Sequence, residues 1–241
     1  MNKIFYTGSI LLLLLTFISC QKEIDIDLGG NNNNNGNGNN NSGNNNNSDC
    51  KACAFLPYCD GSTYSYYDTL MGVAPLVPSD NLKFIKDTMF SGKNFHKFTA
   101  SSNPAAPVYT NCTTGISTTA IFNVGVTGGT VSQVVIRPLQ ENLPVNGAWN
   151  DTLLNGLGQT VIYKYVIKEK NITRTLSGKI FNDVIHVRME TGVEVTGLGF
   201  FVTNMSDYYY ARNVGLIEAL ITNEDGSLVY QHRVIKSYNI P

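Results

Sequence analysis

The sequence predicts an all-β, antiparallel domain whose meander forms a curved sheet or half-barrel, built from two repeated halves. Nearly every structured segment alternates apolar and polar residues with a period of two, as strands with one buried face do. Short clusters of Gly, Asn, Asp and Ser separate these segments, which is typical of hairpins. Helix signals are scarce, since only Ser79-Asp80-Asn81 could cap a turn of helix. The charged fraction of 15%, against about 25% in average soluble domains, suits an exported β-protein.

Residues 1–19 are predicted to be a signal peptide. One basic residue, Lys3, precedes an apolar run from Ile10 to Ile18, which is too short for a transmembrane helix of about 20 residues. The small Ser19 ends the segment, and Cys20 follows it. This arrangement resembles the signal of bacterial lipoproteins, in which the cysteine is diacylated; an ordinary signal with a chance cysteine is the alternative. Cys20 is therefore the predicted lipid attachment site, which would hold the protein on a membrane.

Residues 20–48 are predicted to be a lipidated N-terminus and a flexible tether. Three carboxylates, Glu23, Asp25 and Asp27, lie beside the cysteine and resemble the acidic export tag of Bacteroidota surface lipoproteins. The resemblance implies the outer membrane and the cell surface, whereas a merely solvated spacer would leave a periplasm-facing protein as the alternative. The segment Gly29–Ser48 is almost wholly Asn and Gly and cannot bury apolar area. We expect it to span about 25 Å.

The β domain is predicted to cover residues 49–241 and to begin with a cysteine-rich loop. The aromatic run Ser62–Asp68 is its first strand. Alternation is clearest in Gln159–Lys168 and Ile185–Glu190. The predicted turns are Glu169–Asn171, Ser177–Lys179 and Asn223–Gly226. Gly156-Leu157-Gly158 and Gly197-Leu198-Gly199 are predicted to be turns or bulges.

An internal repeat divides this domain into halves at about 61–140 and 148–240. Ser-Gly-Lys followed by a phenylalanine two residues later occurs at Ser91 and again at Ser177, with a strand-like run on each side of both copies. Tyr109 precedes a Gly-Ile pair by the same six positions that separate Tyr209 from a Gly-Leu pair. A duplication requires each half to bury one face, so one continuous sheet or two stacked sheets are expected.

Four cysteines beyond Cys20 predict two disulfides, since the number is even and the chain is exported. They are Cys50, Cys53, Cys59 and Cys112, and the connectivity is open. Because Cys112 lies in the repeat and the others in the N-terminal loop, at least one bridge should join that loop to the sheet. A redox pair of Cys50 and Cys53, and a four-thiolate zinc site, are the less favoured alternatives.

Several motifs between residues 50 and 240 resemble a family of uncharacterised Bacteroidota lipoproteins. In the last of them the family usually has Lys-Gly where this chain has Arg212-Asn213, and Asn tolerates the left-handed backbone that the turn needs. The resemblance implies a β-rich, curved-sheet domain and implies no activity. The motifs are Cys50-x-x-Cys53 with Cys59-Asp60-Gly61-Ser62, Asn146-Gly147-Ala148-Trp149, Ser177-Gly178-Lys179 leading to Asp183-Val184-Ile185, and Tyr209-Tyr210-Ala211-Arg212-Asn213-Val214-Gly215-Leu216-Ile217.

The sequence contains no specific catalytic motif. It lacks a Gly-x-Ser-x-Gly elbow, a His-Glu-x-x-His pair and a phosphate loop. His96, His186 and His232 are scattered, so we expect them on solvent faces rather than around a metal, and we expect no cofactor. A net charge of -1 without a basic patch argues against a nucleic-acid partner. Enzymatic activity is not favoured, although a site assembled from dispersed residues is the alternative.

A threonine between an aspartate and an apolar residue occurs three times. The pattern resembles the O-glycosylation motif of exported Bacteroidota proteins, in which the hydroxyl is the acceptor. The candidate sites are Thr69, Thr88 and Thr152.

The predicted function is that of a membrane-anchored, extracytoplasmic lipoprotein whose β domain has a binding or structural role. The expected partners are the membrane, through the N-terminal lipid, and either a small hydrophobic ligand or an envelope protein. A half-barrel carrier of lipids or lipoproteins is one version, and a scaffold without a pocket is another. Six tyrosines could line a groove, although packing is the favoured interpretation: Tyr64, Tyr66, Tyr67, Tyr208, Tyr209 and Tyr210.

Overall fold

The structure is a computed structural model that describes residues 53–58, 61–71, 73–90, 93–101, 103–123, 132–154, 160–195 and 197–241. The predicted signal peptide, Cys20, the tether, Cys50, Cys59 and Gly156-Leu157-Gly158 lie outside these residues. Every regular element of the described chain is a β-strand. The strands are β1 Thr63–Leu70, β2 Val73–Phe90, β3 Lys93–Ala100, β4 Asn103–Thr113, β5 Ile116–Asn123, β6 Ser132–Gln140, β7 Ala148–Leu154, β8 Thr160–Leu176, β9 Lys179–Val195, β10 Gly199–Ala211, β11 Gly215–Asn223 and β12 Val229–Asn239.

These strands form one antiparallel sheet in the order β6-β5-β4-β3-β2-β1-β12-β11-β10-β9-β8-β7. Strands that are neighbours in the chain pair with each other except β6 and β7, and β1 pairs with β12. The two edge strands, β6 and β7, come close to each other, so the sheet is barrel-shaped and nearly closed. The predicted all-β meander with strong curvature is therefore confirmed. Within the described residues, none forms a helix long and apolar enough to cross a membrane.

Connections alternate between the two ends of this barrel-shaped sheet, because successive strands of a meander run in opposite directions. We call one end the plugged end, because the N-terminal loop 53–58 lies there beside the turns 141–147 and 212–214. We call the other the distal end; it carries the turns at Met71, at Gly197–Leu198 and at 224–228. The predicted tether therefore enters the domain at the plugged end.

Most of the predicted turns in the described chain are present. Ser177 and Gly178 have φ of 49° and 76° and connect β8 to β9. Gly197 and Gly199 flank the turn between β9 and β10 with φ of 80° and 94°. Asn213 has φ of 59°, as expected for an asparagine that takes the left-handed place of a glycine.

The prediction of a turn at Glu169–Asn171 is wrong. Strand β8 continues through these residues, and the register against β9 shifts between Ile167 and Glu169 and again before Ile172. Asn171 takes a left-handed φ of 57°, so the turn-favouring residues make a bulge. The helical alternative at Ser79-Asp80-Asn81 is also not adopted, because these residues belong to β2.

The two predicted halves fall on two sets of strands, β1–β6 and β7–β12. Each Ser-Gly-Lys segment ends on the first residue of the third strand of its set. Gly115 directly precedes the fifth strand of the first set, and Gly215 begins the fifth strand of the second. This correspondence agrees with a duplication, which itself stays a prediction.

Two apolar clusters fill the interior. One contains Trp149, Tyr165, Ile167, Val187 and Leu139 together with plug residues. The other contains large aromatic residues of β1, β2 and β3 with aliphatic residues of β11 and β12. The large side chains of these two clusters fill the core of the barrel-shaped sheet.

Candidate functional site

The N-terminal loop closes the plugged end of the sheet. Cys53, Phe55 and Leu56 are buried in the core. The Glu141 carboxylate accepts hydrogen bonds from the N–H groups of residues 54 and 55 at 3.3 and 3.1 Å, and the N–H of Asn213 donates to the carbonyl of residue 54 at 2.6 Å. We call residues 53–58 the plug.

A disulfide between Cys53 and Cys112 joins the plug to β4. The Cα atoms are 5.7 Å apart, and the bridge spans 59 positions of sequence. The expectation that one bridge would join the loop to the sheet is thus met. Because Cys53 is bonded to Cys112, it does not form the alternative redox pair with Cys50. The same bond removes two of the four thiolates that the alternative zinc site would need. The pairing of Cys50 and Cys59 stays a prediction.

The tyrosines do not form one groove. Tyr64, Tyr66 and Tyr210 are buried in the core, which is the favoured interpretation of packing. Neighbours in a strand point to opposite faces, so the half-buried Tyr67 and Tyr209 lie outside while Tyr66 and Tyr210 lie inside. Burial raises the pKa of Tyr64 and Tyr66 above the ordinary phenol value, since a dry interior disfavours the phenolate.

A small polar cavity of about 160 Å³ lies between the plug and the strands β2–β5. It is lined by Tyr58, His96, Thr110 and Ser117 among others, and His96 Nδ1 lies 2.5 Å from Asp87 Oδ1. Pockets for drug-sized ligands usually have about 300–1,000 Å³. This cavity therefore suits water or a very small polar molecule.

The most extensive set of charged side chains lies on the outer face of β8–β12. Its members come from five adjacent strands, and each contacts a member on another strand of the sheet. We call this set the polar ladder: Glu169, Arg174, His186, Arg188, Asp207, Tyr209, Glu218 and His232.

His186 is at the centre of the polar ladder and is only 7% exposed. Its Nδ1 lies 3.0 Å from Glu169 and its Nε2 lies 2.7 Å from Asp207, while Arg188 donates two hydrogen bonds to Asp207 at 2.9 and 3.1 Å. Both ring nitrogens therefore lie at hydrogen-bond distance from carboxylate oxygens, which only accept hydrogen bonds. The expectation of a solvent-facing His186 is therefore wrong.

Tyr209 connects the two parts of the polar ladder. It stacks on His186 with ring centroids 4.4 Å apart, and the Arg174 guanidinium lies 4.1 Å above its ring. Arg174 also pairs with Glu218, which receives a second hydrogen bond from His232 at 2.9 Å. Arg174 on β8 therefore reaches past Tyr209 of β10 to a carboxylate on β11.

Asp207 and Glu218 have lowered carboxyl pKa values although both are partly buried. Burial favours the neutral form of Asp207, but hydrogen bonds from His186 and Arg188 outweigh it and lower the pKa of that carboxyl. Burial likewise opposes ionisation of Glu218, and hydrogen bonds from His232 and Arg174 lower its pKa. Each carboxylate therefore has an arginine and a histidine as hydrogen-bond partners, which favour its ionised form.

The hydrogen bonds of the polar ladder connect strands β8–β12 through their side chains. A general base needs a free nitrogen that points at a nucleophile, and both nitrogens of His186 are held by carboxylates. In the part of the chain that the structure describes, no group of three or more His, Cys, Asp or Glu side chains could hold a metal. Sequence reasoning missed the polar ladder, although His186 and Arg188 shared a face in the strand pattern.

The O-glycosylation candidates lie in three strands. Thr152 is exposed on the edge strand β7, and Thr69 and Thr88 are half-buried on β1 and β2. Thr152 is the most accessible hydroxyl of the three, and modification of all three stays a prediction.

Comparison with solved structures finds two similar chains. One is a candidate lipoprotein from Parabacteroides distasonis ATCC 8503, with 12% identity over 78% of this chain and 99% of that chain and a TM-score of 0.45. Another is a candidate exported protein with a YmcC-like fold from Bacteroides fragilis NCTC 9343, with 9% identity over 76% of this chain and 97% of that chain and a TM-score of 0.43. No protein-family model and no curated protein matches the chain. These similarities are too low to transfer a function.

Proposed function

We propose that this protein is a lipid-anchored, extracytoplasmic binding module of the outer membrane, which meets its partner with its outer surface. The observation that carries the proposal is the plug. The chain that follows Cys20 and the predicted tether is fixed to one end of the sheet by the Cys53–Cys112 disulfide and by Glu141. A disulfide of this kind persists in oxidising compartments outside the cytoplasm.

The filled interior favours surface binding over a carrier function. The plug and the large residues of both apolar clusters occupy the space that a lipid would need. The buried charges of the outer face are already paired with one another, which disfavours an enzymatic role for them. We place the domain on the cell surface, because the carboxylates Glu23, Asp25 and Asp27 follow the cysteine.

The proposal is tested by fractionation and protease treatment of intact cells that produce the full chain. We expect the wild-type protein in the outer-membrane fraction and digested from outside, and Cys20→Ala to be released from membranes. The matched control replaces all three carboxylates, Glu23→Gln with Asp25→Asn and Asp27→Asn, and should keep the anchor while it loses surface exposure. A Cys20→Ala protein that stays in the membrane fraction would refute the anchor, and wild-type protein protected until lysis would refute the surface location.

A further inference from the structure

A cavity of about 430 Å³ lies at the plugged end of the sheet, and this volume falls within the range usual for ligand sites. Three parts of the chain form it: the start of β9, the end of β10 with the turn that follows, and the end of β12. Phe181, Ala211 and Val214 line it as buried side chains, whereas Ile180 and Tyr238 are exposed at its rim. We call this cavity the end pocket.

The polar side chains of β9 offer the end pocket hydrogen-bond donors. Lys179 Nζ donates to the carbonyl of Lys236 at 3.0 Å, and an ammonium group has two further N–H groups to offer. The amide oxygen of Asn182 accepts from the Thr173 hydroxyl at 3.1 Å, so the N–H groups of the same amide remain as donors. Both residues line the cavity, which therefore suits a ligand that only accepts hydrogen bonds.

Arg212 supplies a second cation to the end pocket and is held in place from two sides. Its Nε donates to the Asp183 carboxylate, and its guanidinium lies 4.6 Å from the centre of the Phe55 ring in the plug. In the described part of the chain, Asp183 is the one carboxylate that pairs with Arg212, and none pairs with Lys179 or Lys236. These three cations come from three strands, so the sequence contains no basic run that would reveal them.

From this donor set and its position, we infer that the end pocket binds the phosphate group of a lipid headgroup in the membrane that carries the anchor. Arginine and lysine are the usual partners of phosphate. Tyrosine and exposed aliphatic side chains beside cations suit the boundary between headgroups and acyl chains. The inference rests on the proposed function, since the tether enters the domain at this same end and keeps it close to that membrane.

Tethering allows a weak site to be occupied. A short flexible linker gives an effective concentration of about 1 mM, so millimolar affinity for a headgroup is sufficient once the chain is anchored. Free phosphate could meet the same donors, but it would make no contact with Ile180 and Tyr238 at the rim. A second copy of this chain is disfavoured, because it would bring the same three cations face to face.

The experiment is co-sedimentation of the full, exported Cys20→Ala chain with vesicles, so that no acyl anchor contributes to binding. Three compositions are compared: phosphatidylcholine alone, phosphatidylcholine with phosphatidylglycerol, and phosphatidylcholine with a fatty acid at the same surface charge. We expect the phosphatidylglycerol vesicles to bind several-fold more protein than the other two. The phosphate of phosphatidylcholine is paired with its own choline, and the fatty acid supplies negative charge without phosphate.

Calorimetric titration of the same chain with inorganic phosphate separates lipid phosphate from free phosphate. We expect the affinity for inorganic phosphate to be about tenfold weaker than for the vesicles, because one buried aliphatic contact is worth at least that factor.

Two matched variants locate the binding in the end pocket. Lys179→Gln should lower binding to phosphatidylglycerol vesicles about fivefold, the usual contribution of one cation at an anionic surface. The control, Lys164→Gln, removes the same charge from the distal part of β8, where the ammonium lies over the Phe200 ring, and should leave vesicle binding unchanged. Lys179 is exposed, so an unchanged thermal unfolding transition confirms that its variant is folded.

Any of four results would overturn the inference: equal losses in Lys179→Gln and Lys164→Gln, equal binding to the fatty-acid vesicles, inorganic phosphate bound as tightly as the vesicles, or no binding to any vesicle. None of them bears on the anchor, which is tested by fractionation of cells. If Cys20→Ala is released from cell membranes but fails to bind vesicles, the end pocket is wrong and the anchored module stands. If Cys20→Ala stays in the membrane fraction, the proposed function fails whatever the vesicles show.

Discussion

Glu218 has two hydrogen-bond partners, an arginine and a histidine, at a site that excludes most water. It is 6% exposed, and it accepts hydrogen bonds from Arg174 on β8 and from His232 on β12. Removing one member of a buried ion pair leaves its partner without compensation, which usually costs about 3–5 kcal/mol. The partially exposed Arg174 and His232 can recover some hydration, so the lower part of that range applies.

We therefore predict that Glu218→Gln lowers the free energy of unfolding by about 3 kcal/mol at pH 7. The amide keeps the shape of the side chain and removes its charge, so the loss measures electrostatics rather than packing. Urea unfolding followed by circular dichroism checks the value. Glu194→Gln changes an exposed carboxylate on β9 and should have no measurable effect; equal losses in both variants would contradict the prediction.

The same carboxylates predict how stability depends on acid. The pKa values of Asp207 and Glu218 are lower in the folded protein than their ordinary values, so the unfolded chain takes up protons first as the pH falls. Their stabilisation is complete above the unfolded pKa values of about 4 and is lost as the pH falls through the folded ones. The difference in unfolding free energy between wild type and Glu218→Gln should therefore narrow below pH 4 in the same urea experiments. A difference that is constant from pH 7 to pH 3 would show that the charge does not stabilise the fold.

At the scale of elements, the plug depends on its bridge to β4. The disulfide spans 59 positions, and closing a loop of that length stabilises a fold by about 4 kcal/mol in the chain-entropy model. We predict a loss of that size for Cys53→Ser combined with Cys112→Ser, measured by urea unfolding without reductant. Glu141→Gln keeps an oxygen that accepts a hydrogen bond from the plug, so it should cost only about 1 kcal/mol. A double variant as stable as Glu141→Gln would mean that the plug is held by packing alone.

The difference between local and non-local information explains which elements were predictable. The turns at Ser177–Gly178 and Asn213 depend on backbone preferences of their own residues, and the sequence predicts both correctly. The segment Glu169–Asn171 has the same turn chemistry, but pairing with β9 continues on both sides of it and converts the turn into a bulge. A local sequence pattern cannot distinguish a turn from a bulge, because the result depends on whether a long partner strand pairs on both sides of the segment.

The same reasoning explains why the polar ladder escaped prediction. Strand alternation places His186 and Arg188 on one face, but only the register of β9 against β10 puts His186 opposite Tyr209 and Arg188 opposite Asp207. One step of slippage would move these side chains to the other face of the sheet. Histidines are exposed more often than buried, so a solvent-facing His186 is the natural expectation until its neighbouring strands are known.

At the scale of the whole molecule, side chains close the seam between the edge strands β6 and β7. The N–H and carbonyl groups of Arg137 on β6 bond to side chains of β7: Asp151 accepts from the N–H at 2.6 Å, and Trp149 Nε1 donates to the carbonyl at 2.7 Å. The Arg137 side chain reaches back to Asp151 at 2.7 Å. Edge strands are templates for unwanted pairing, and these contacts occupy the edge at its centre.

We predict that Asp151→Ala opens the seam without unfolding the sheet. The change removes the acceptor of a backbone N–H and the partner of the Arg137 guanidinium, and an unsatisfied buried donor costs about 1–3 kcal/mol. Native-state hydrogen exchange should show faster exchange in β6 and β7, while β10 and β11, which pair on both sides, keep their protection. Asn150→Ala is the matched control, since its side chain is exposed and its carbonyl still accepts from Arg137. If exchange rises equally in all strands, the seam is part of one cooperative unit. If it rises nowhere, the bonds of Trp149 and of Arg137 to the Asn150 carbonyl hold the edges together without Asp151.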